Sequence, residues 1–237
     1  IVNMEHGKLN ALYLAENKLH QVSDDSKGLK LFNYFVTFAM VIVTVWGSFN
    51  NGWLNLANLM SWLGLIGVIG IAYRWKGNFL FNMSQNVVGF IVNTRAKLFG
   101  DAAMSLFFFG SQVWGIKDWF GHQDSEGKVT THSQTNWKQV SIMILFLSIG
   151  IGIASYFLGG NYIILDAVTN ATAIIAQTMH MNRNKNGWII WTLTNIISIY
   201  MFTSLGVTQV AVMYTVFCFN NVRGWINWTV TGEHKTA

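Results

Sequence analysis

The sequence predicts an all-α integral membrane protein of about eight transmembrane helices: two parallel three-helix repeats, a linker helix between them (3+1+3), and one extra N-terminal helix. Three observations carry this expectation. Apolar residues make up 52% of the chain and charged residues only 11%, whereas soluble domains run nearer a quarter charged. The apolar residues fall into runs close to the roughly 20 residues that cross a hydrocarbon core as a helix. A shift of 109 residues lays the first half of the chain on the second without a gap.

In chain order, residues 1–30 mix polar and apolar types with balanced charge, four Lys against two Glu and two Asp. No cleavable signal peptide is expected there, and the segment reads as cytoplasmic. Within it Lys8–Val22 sets Leu9, Leu12, Tyr13 and Leu19 at helical spacing, either as an interfacial helix or as a frayed tail. Spans are expected at 31–49, 54–73, 78–92, 101–119, 137–158, 162–181, 187–202 and 206–222, followed by a cytoplasmic tail at 229–237. The third and seventh are short and rich in Asn, Gln and Thr. Backbone groups in lipid must be satisfied internally, and no alternating ten-residue strands of a barrel are visible, so the spans are helices. The chain has no proline, so no proline kink is expected.

Orientation follows from the basic residues in the connections. Thirteen Lys and Arg fall in the N-terminus, the second, fourth and sixth loops and the C-terminus, while the opposite loops hold only Arg95 and Lys97. Both termini are therefore expected in the cytoplasm, which also favours an even number of spans. The pI near 9.4 does not indicate nucleic acid, because these charges sit in short loops and not along one face.

The 109-residue shift matches Arg74 with Arg183, Lys76 with Lys185, Asn86 with Asn195, Ala102 with Ala211, Met104 with Met213, Phe108 with Phe217, Gly115 with Gly224 and Trp119 with Trp228. Gln112 meets Asn221, a similar carboxamide. The repeats are read as 54–119 and 162–228, with 137–158 joining them and 31–49 standing in front. An odd number of helices between them gives both the same orientation, a plan in which solute binds near the midplane between the halves.

Polar groups inside a membrane helix are costly and usually face a bundle interior or a wet cavity. Here they align. In the third span Asn82, Gln85, Asn86, Gly89 and Asn93 share a face, and in the sixth Asp166, Asn170, Ala173, Gln177 and His180 do so. The seventh presents Trp188, Trp191, Thr192, Asn195 and Ser198; Gln112 of the fourth and Tyr214, Asn220 and Asn221 of the eighth add to them. Such groups also glue helices together, but carboxamides at similar depth on five helices favour a lined cavity. The candidate solute-binding set is Gln85, Asn86, Gln112, Gln177, Trp188, Trp191, Asn195, Tyr214 and Asn221. Carboxamides offer donors and acceptors, suited to hydroxyls and an amide. Trp188 and Trp191, three apart on one face, could hold a flat ring or a cation, although Trp188 could also anchor its helix at the interface. No Arg or Lys is expected inside a span, so an anionic solute finds no partner there. Asp166 is read either as a charge partner or coupling-ion site, or as a cap near the start of the sixth helix.

The text around these residues carries a resemblance. In the second half it runs Asn186-Gly187-Trp188 through Trp191 and Asn195, then Leu205-Gly206, Tyr214 and Gly224-Trp225-Ile226-Asn227; in the first, Gly77-Asn78-Phe79, Lys97 to Asp101, Phe107 to Phe109, and Gln112 through Gly115. Over about residues 54–228 the chain resembles the PnuC family of nicotinamide riboside transporters of the bacterial inner membrane. That resemblance implies a three-one-three fold related to SWEET-type sugar transporters and a homotrimer. It also implies facilitated diffusion, made one-way by a cytoplasmic kinase that phosphorylates the nucleoside. Relatives carrying thiamine, riboflavin or deoxynucleosides share the fold, so another vitamin or nucleoside is the alternative cargo.

Other classes fit less well. A retinal photoreceptor needs a lysine in its last helix, and 206–222 has none. A membrane enzyme needs a cluster of titratable groups, which Asp166 and His180 alone do not make. A channel predicts a continuous polar lining, and an importer's capture subunit a cytoplasmic docking motif. Neither is evident. The lone Cys218 and six scattered His show no ligand spacing, so neither metal nor cofactor is expected.

Overall fold

Asn55 starts the second long helix by accepting the Asn58 backbone N–H on its side chain at 2.7 Å, which satisfies a donor the helix itself cannot. At the other end of the same helix, Arg74 takes φ +57°, and Arg183, 109 residues on, takes +62°. A left-handed residue closing a helix is ordinarily glycine. Two arginines accept that strain here, and both guanidinium groups reach the 122–136 connection. Arg74 donates to the carbonyl of Val129 and, at 2.7 Å, to Thr231; Arg183 donates to the carbonyl of Thr130 at 3.0 Å and to Asp118 at 2.6 Å.

The structure, a computed structural model, describes residues 13–23, 25–95, 99–157, 159, 162–206 and 208–232. Its eight long helices are α1 Lys27–Asn51, α2 Leu56–Ala72, α3 Asn78–Arg95, α4 Phe99–Gly121, α5 Trp137–Phe157, α6 Ile163–Met181, α7 Gly187–Ser204 and α8 Thr208–Gly232. Residues 13–19 form a short helical segment before them. Leu9 and Leu12 of the expected interfacial helix, Lys97, Leu98, Leu158 and the tail after Gly232 lie outside the described residues.

Neighbours in sequence pack within α2–α4 and within α6–α8; the halves meet where α4 packs on α6 and α2 on α8. α1 lies against α2 and α8, and α5 against α6. The starts of α1, α3, α5 and α7 and the ends of α2, α4, α6 and α8 therefore share one face, called the near face below.

Polarity is reversed relative to a soluble protein. Phe35, Phe38, Leu80, Leu106, Phe146 and Ile164 are exposed, while Asn78, Asn82, Asn86, Gln112, Gln177 and Asn195 are buried. An apolar exterior is what a bilayer requires, and a polar interior is where membrane helices keep costly groups. α1 and α5 are long and apolar enough to cross a membrane on length and composition alone; α5 buries none of its residues.

One expectation needs correction. The eighth helix runs to Gly232, ten residues past the expected end, and carries Arg223 within it, fully buried. A cation is therefore buried within the last helix, where the expected span stopped short of it. Its guanidinium donates to Asn220 Oδ1, to Thr37 Oγ1 at 2.5 Å and to the Asn33 carbonyl at 3.4 Å, tying α8 to α1. With Asn227 and Asn33 also paired at 3.1 Å, this polar clasp offsets part of the cost of burial.

Candidate functional site

Glycines in α2 make room for two side chains of the site. A Cβ on Gly67 would overlap the Asn82 carboxamide, and one on Gly64 would stand 3.1 Å from that of Gln85. Two glycines one turn apart thus let α3 approach α2 closely and lay its amides across the gap. Asn82 is steadied by Asn78, its Nδ2 donating to Asn78 Oδ1 at 3.2 Å.

The cavity that results lies between the two halves and has a volume of about 240 Å³. Gln85, Asn86, Gln112, Gln177, Trp188, Trp191, Asn195, Tyr214 and Asn221 all line it. The structure thus gathers every residue of the expected set around one space. Asp166 is not among the lining residues; it stands in the first turn of α6, its Oδ1 accepting from Asn170 Nδ2 at 3.0 Å. It lies in the first turn, but the N-cap residue is Tyr162 and the Asp166 carboxylate turns along the helix to Asn170, so it does not cap α6.

Val68, Ile71, Asn82, Phe108, His180 and Phe217 also line the cavity, and the expected set omitted them. The repeat was the signal that could have found them. Val68 and Gln177, Ile71 and His180, Asn82 and Trp191, Asn86 and Asn195, Phe108 and Phe217, and Gln112 and Asn221 each stand 109 residues apart. Twelve of the fifteen lining residues thus form six corresponding pairs, one member from each half; Gln85, Trp188 and Tyr214 stand outside the pairing. The halves differ in chemistry: α6 and α7 bring Gln177, His180 and Trp191 where α2 and α3 bring Val68, Ile71 and Asn82.

On the near-face side the cavity is closed by rings. His180 lies 4.2 Å from Trp188 between ring centroids, and Trp188 meets Trp228 edge-on at 5.6 Å. In the other half Phe79 meets Trp119 edge-on at 5.3 Å, and Trp119 joins Trp228 at 5.7 Å. Phe79 and Trp188, and likewise Trp119 and Trp228, are again 109 apart, so the same contact recurs in each half. The indole N–H groups follow the same exchange: Trp119 donates to the carbonyl of His180 and Trp228 to that of Ile71, each at 2.9 Å. Glycines make room for the rings, since a Cβ on Gly187 would strike His180 and one on Gly224 would strike Trp188.

Within this packing some polar groups lack partners. Gln177 Nε2 donates to Ser111 Oγ at 3.1 Å, but Gln112 Oε1, His180 Nε2, Trp188 Nε1 and Asn221 Nδ2 are buried without one. All four belong to lining residues. A buried orphan costs about 1–3 kcal/mol, and these four (a carboxamide oxygen, an imidazole nitrogen, an indole N–H and an amide N–H) all belong to residues around one cavity. No Lys, Arg, Asp or Glu lines the cavity among the described residues, nor does any group of three or more metal-ligating side chains occur among them.

The family model described as nicotinamide mononucleotide transporter matches residues 52–230. The chain is similar to the nicotinamide riboside transporter PnuC of Neisseria mucosa, 26% identical over 179 residues, which cover 65% of this chain and 68% of that protein. It is similar also to the nicotinamide riboside transporter PnuC of Escherichia coli, 18% identical over 198 residues covering 68% and 82%. The crystal structure of the vitamin B3 transporter PnuC matches in fold with a TM-score of 0.64 and 22% identity, over 91% of this chain and 96% of that one.

Proposed function

The chain belongs to the nicotinamide mononucleotide transporter family, and from that premise we propose that it carries nicotinamide riboside into the cell. The family description names the mononucleotide and the curated relatives name the riboside. The cavity's chemistry favours the riboside: its lining has aromatic rings and carboxamides but no cation to meet a phosphate. The single observation that carries this reading is one cavity lined by carboxamides and indoles from both halves, without a charged side chain among the described lining residues. Indole faces attract the pyridinium cation, and the amides complement the ribose hydroxyls and the carboxamide of the ring.

Transport follows as facilitated diffusion by alternating access. The two halves rock about the cavity, the near face is cytoplasmic, and a cytoplasmic kinase makes uptake one-way by adding a phosphate the cavity cannot hold. Titration calorimetry on the purified protein tests the reading. Nicotinamide riboside should bind and its mononucleotide should not. Equal affinity for both would reject the proposed selectivity, and tighter binding of thiamine, riboflavin or a deoxynucleoside would reassign the cargo.

A further inference from the structure

We infer that the chamber enclosed by α1, α2 and α8 is the entrance through which solute reaches the cavity, with Gln85 and Tyr214 at the neck between them. The inference rests on the transport reading above and adds a route and a role for the extra helix α1. The chamber measures about 670 Å³ against about 240 Å³ for the cavity, and Val68, Gln85, Tyr214 and Phe217 line both. The two spaces therefore share a wall of four residues contributed by α2, α3 and α8.

How α1 is held explains why the chamber exists. At its far end Ser48 Oγ donates to Asn58 Oδ1 at 2.5 Å and accepts from Trp62 Nε1 at 3.1 Å. At its near end Arg223 and Asn227 of α8 clasp Thr37 and Asn33. Between the clasps Val36 and Met40 pack with Leu65, but further along Thr44 and Gly47 of α1 face Ala57, Ser61 and Gly64 of α2 across open space. The residues there are too small to fill the distance the clasps impose. Thr44, Asn58, Ser61 and Gln85 give the chamber polar groups along its length, which a passing hydroxylated solute can use in place of water.

The other end of the cavity offers no such opening. Trp119, Trp188 and Trp228 are buried together there, and the 122–136 connection is bonded across them, with Thr131 N donating to the Gly232 carbonyl at 2.8 Å and Lys185 N to that of His132 at 2.9 Å. The structure is thus closed on the near face and broadest toward the far one.

The test starts from a Cys218→Ser background, since Cys218 is the chain's only cysteine, and adds Ser61→Cys or Met213→Cys in the chamber wall. A charged, membrane-impermeant methanethiosulfonate applied to intact cells should label both cysteines with no solute present. Ile149→Cys, on the exposed face of α5, should stay unlabelled. Labelling should then lower nicotinamide riboside uptake at least tenfold. No labelling at either position, or labelling at both with uptake unchanged, overturns the inference. Labelling as expected together with no riboside binding by the unmodified protein would reject the cargo and keep the entrance.

Discussion

At the scale of single residues, Gln112 and Trp191 separate binding from folding. Gln112 Oε1 is buried without a partner, so the empty protein bears its desolvation cost. Gln112→Met should raise the melting temperature of the empty protein, by the equivalent of about 1–3 kcal/mol. The same change should weaken riboside binding severalfold. A purely structural glutamine would lose stability instead, so thermal unfolding and calorimetry on one variant decide between the roles. Trp191 is half-buried, tilted over Phe108 at 6.3 Å, and has less packing to lose than Trp188, whose ring is wedged among His180, Trp228 and Gly224. Trp191→Ala should weaken binding by about 1–3 kcal/mol if the ring stacks on the solute. Unchanged affinity in a folded variant would remove it from the site.

At the scale of elements, the close approach of α2 and α3 depends on Gly67. The Asn82 carboxamide occupies the space a methyl group would need, so Gly67→Ala should cost about 1–3 kcal/mol through overpacking and displace a lining residue. Reduced melting temperature together with weakened binding is the expected result; a variant indistinguishable from the parent in both would show that the two helices separate freely. α1 depends on Arg223 in a different way. Arg223→Met leaves the buried Asn220 side-chain carbonyl oxygen unpaired and takes the partner from the half-buried Thr37 hydroxyl, a loss of about 1–3 kcal/mol. Amide exchange should accelerate in the first half of α1 and not in α6. Equal acceleration in both would mean that the arginine supports the whole bundle and not the clasp.

At the scale of the whole molecule, the corresponding pairs around the cavity and the repeated tryptophan contacts make two similar bodies meeting at one site. Under the proposed mechanism the two bodies rock about that site and expose it to either face in turn. The described cavity lining holds no acid that could bind a coupling ion, since Asp166 is engaged with Asn170 outside it. In vesicles loaded with kinase and ATP, riboside accumulation should require the kinase and ignore imposed proton or sodium gradients. Concentration without the kinase, lost in Asp166→Asn, would make the protein a secondary active transporter. Much of this molecule was legible before folding. A helix repeats every 3.6 residues, so spacing alone assigned the carboxamides and indoles to common faces, and the apolar runs located eight helices to within a few residues except at the end of α8. What only the tertiary structure decided was which faces meet and which groups find partners. Hydropathy measures transfer from water to lipid, so it ended α8 before Arg223, because it cannot register the Asn33, Thr37 and Asn220 contacts that make burial tolerable. Spacing placed Asp166 and Gln177 on one stripe, yet a stripe has length and the cavity occupies only part of it. Val68, Ile71 and Phe217 stood outside the expected set, because a side chain that lines a cavity and one that fills a core have the same composition and differ only in what lies beyond them.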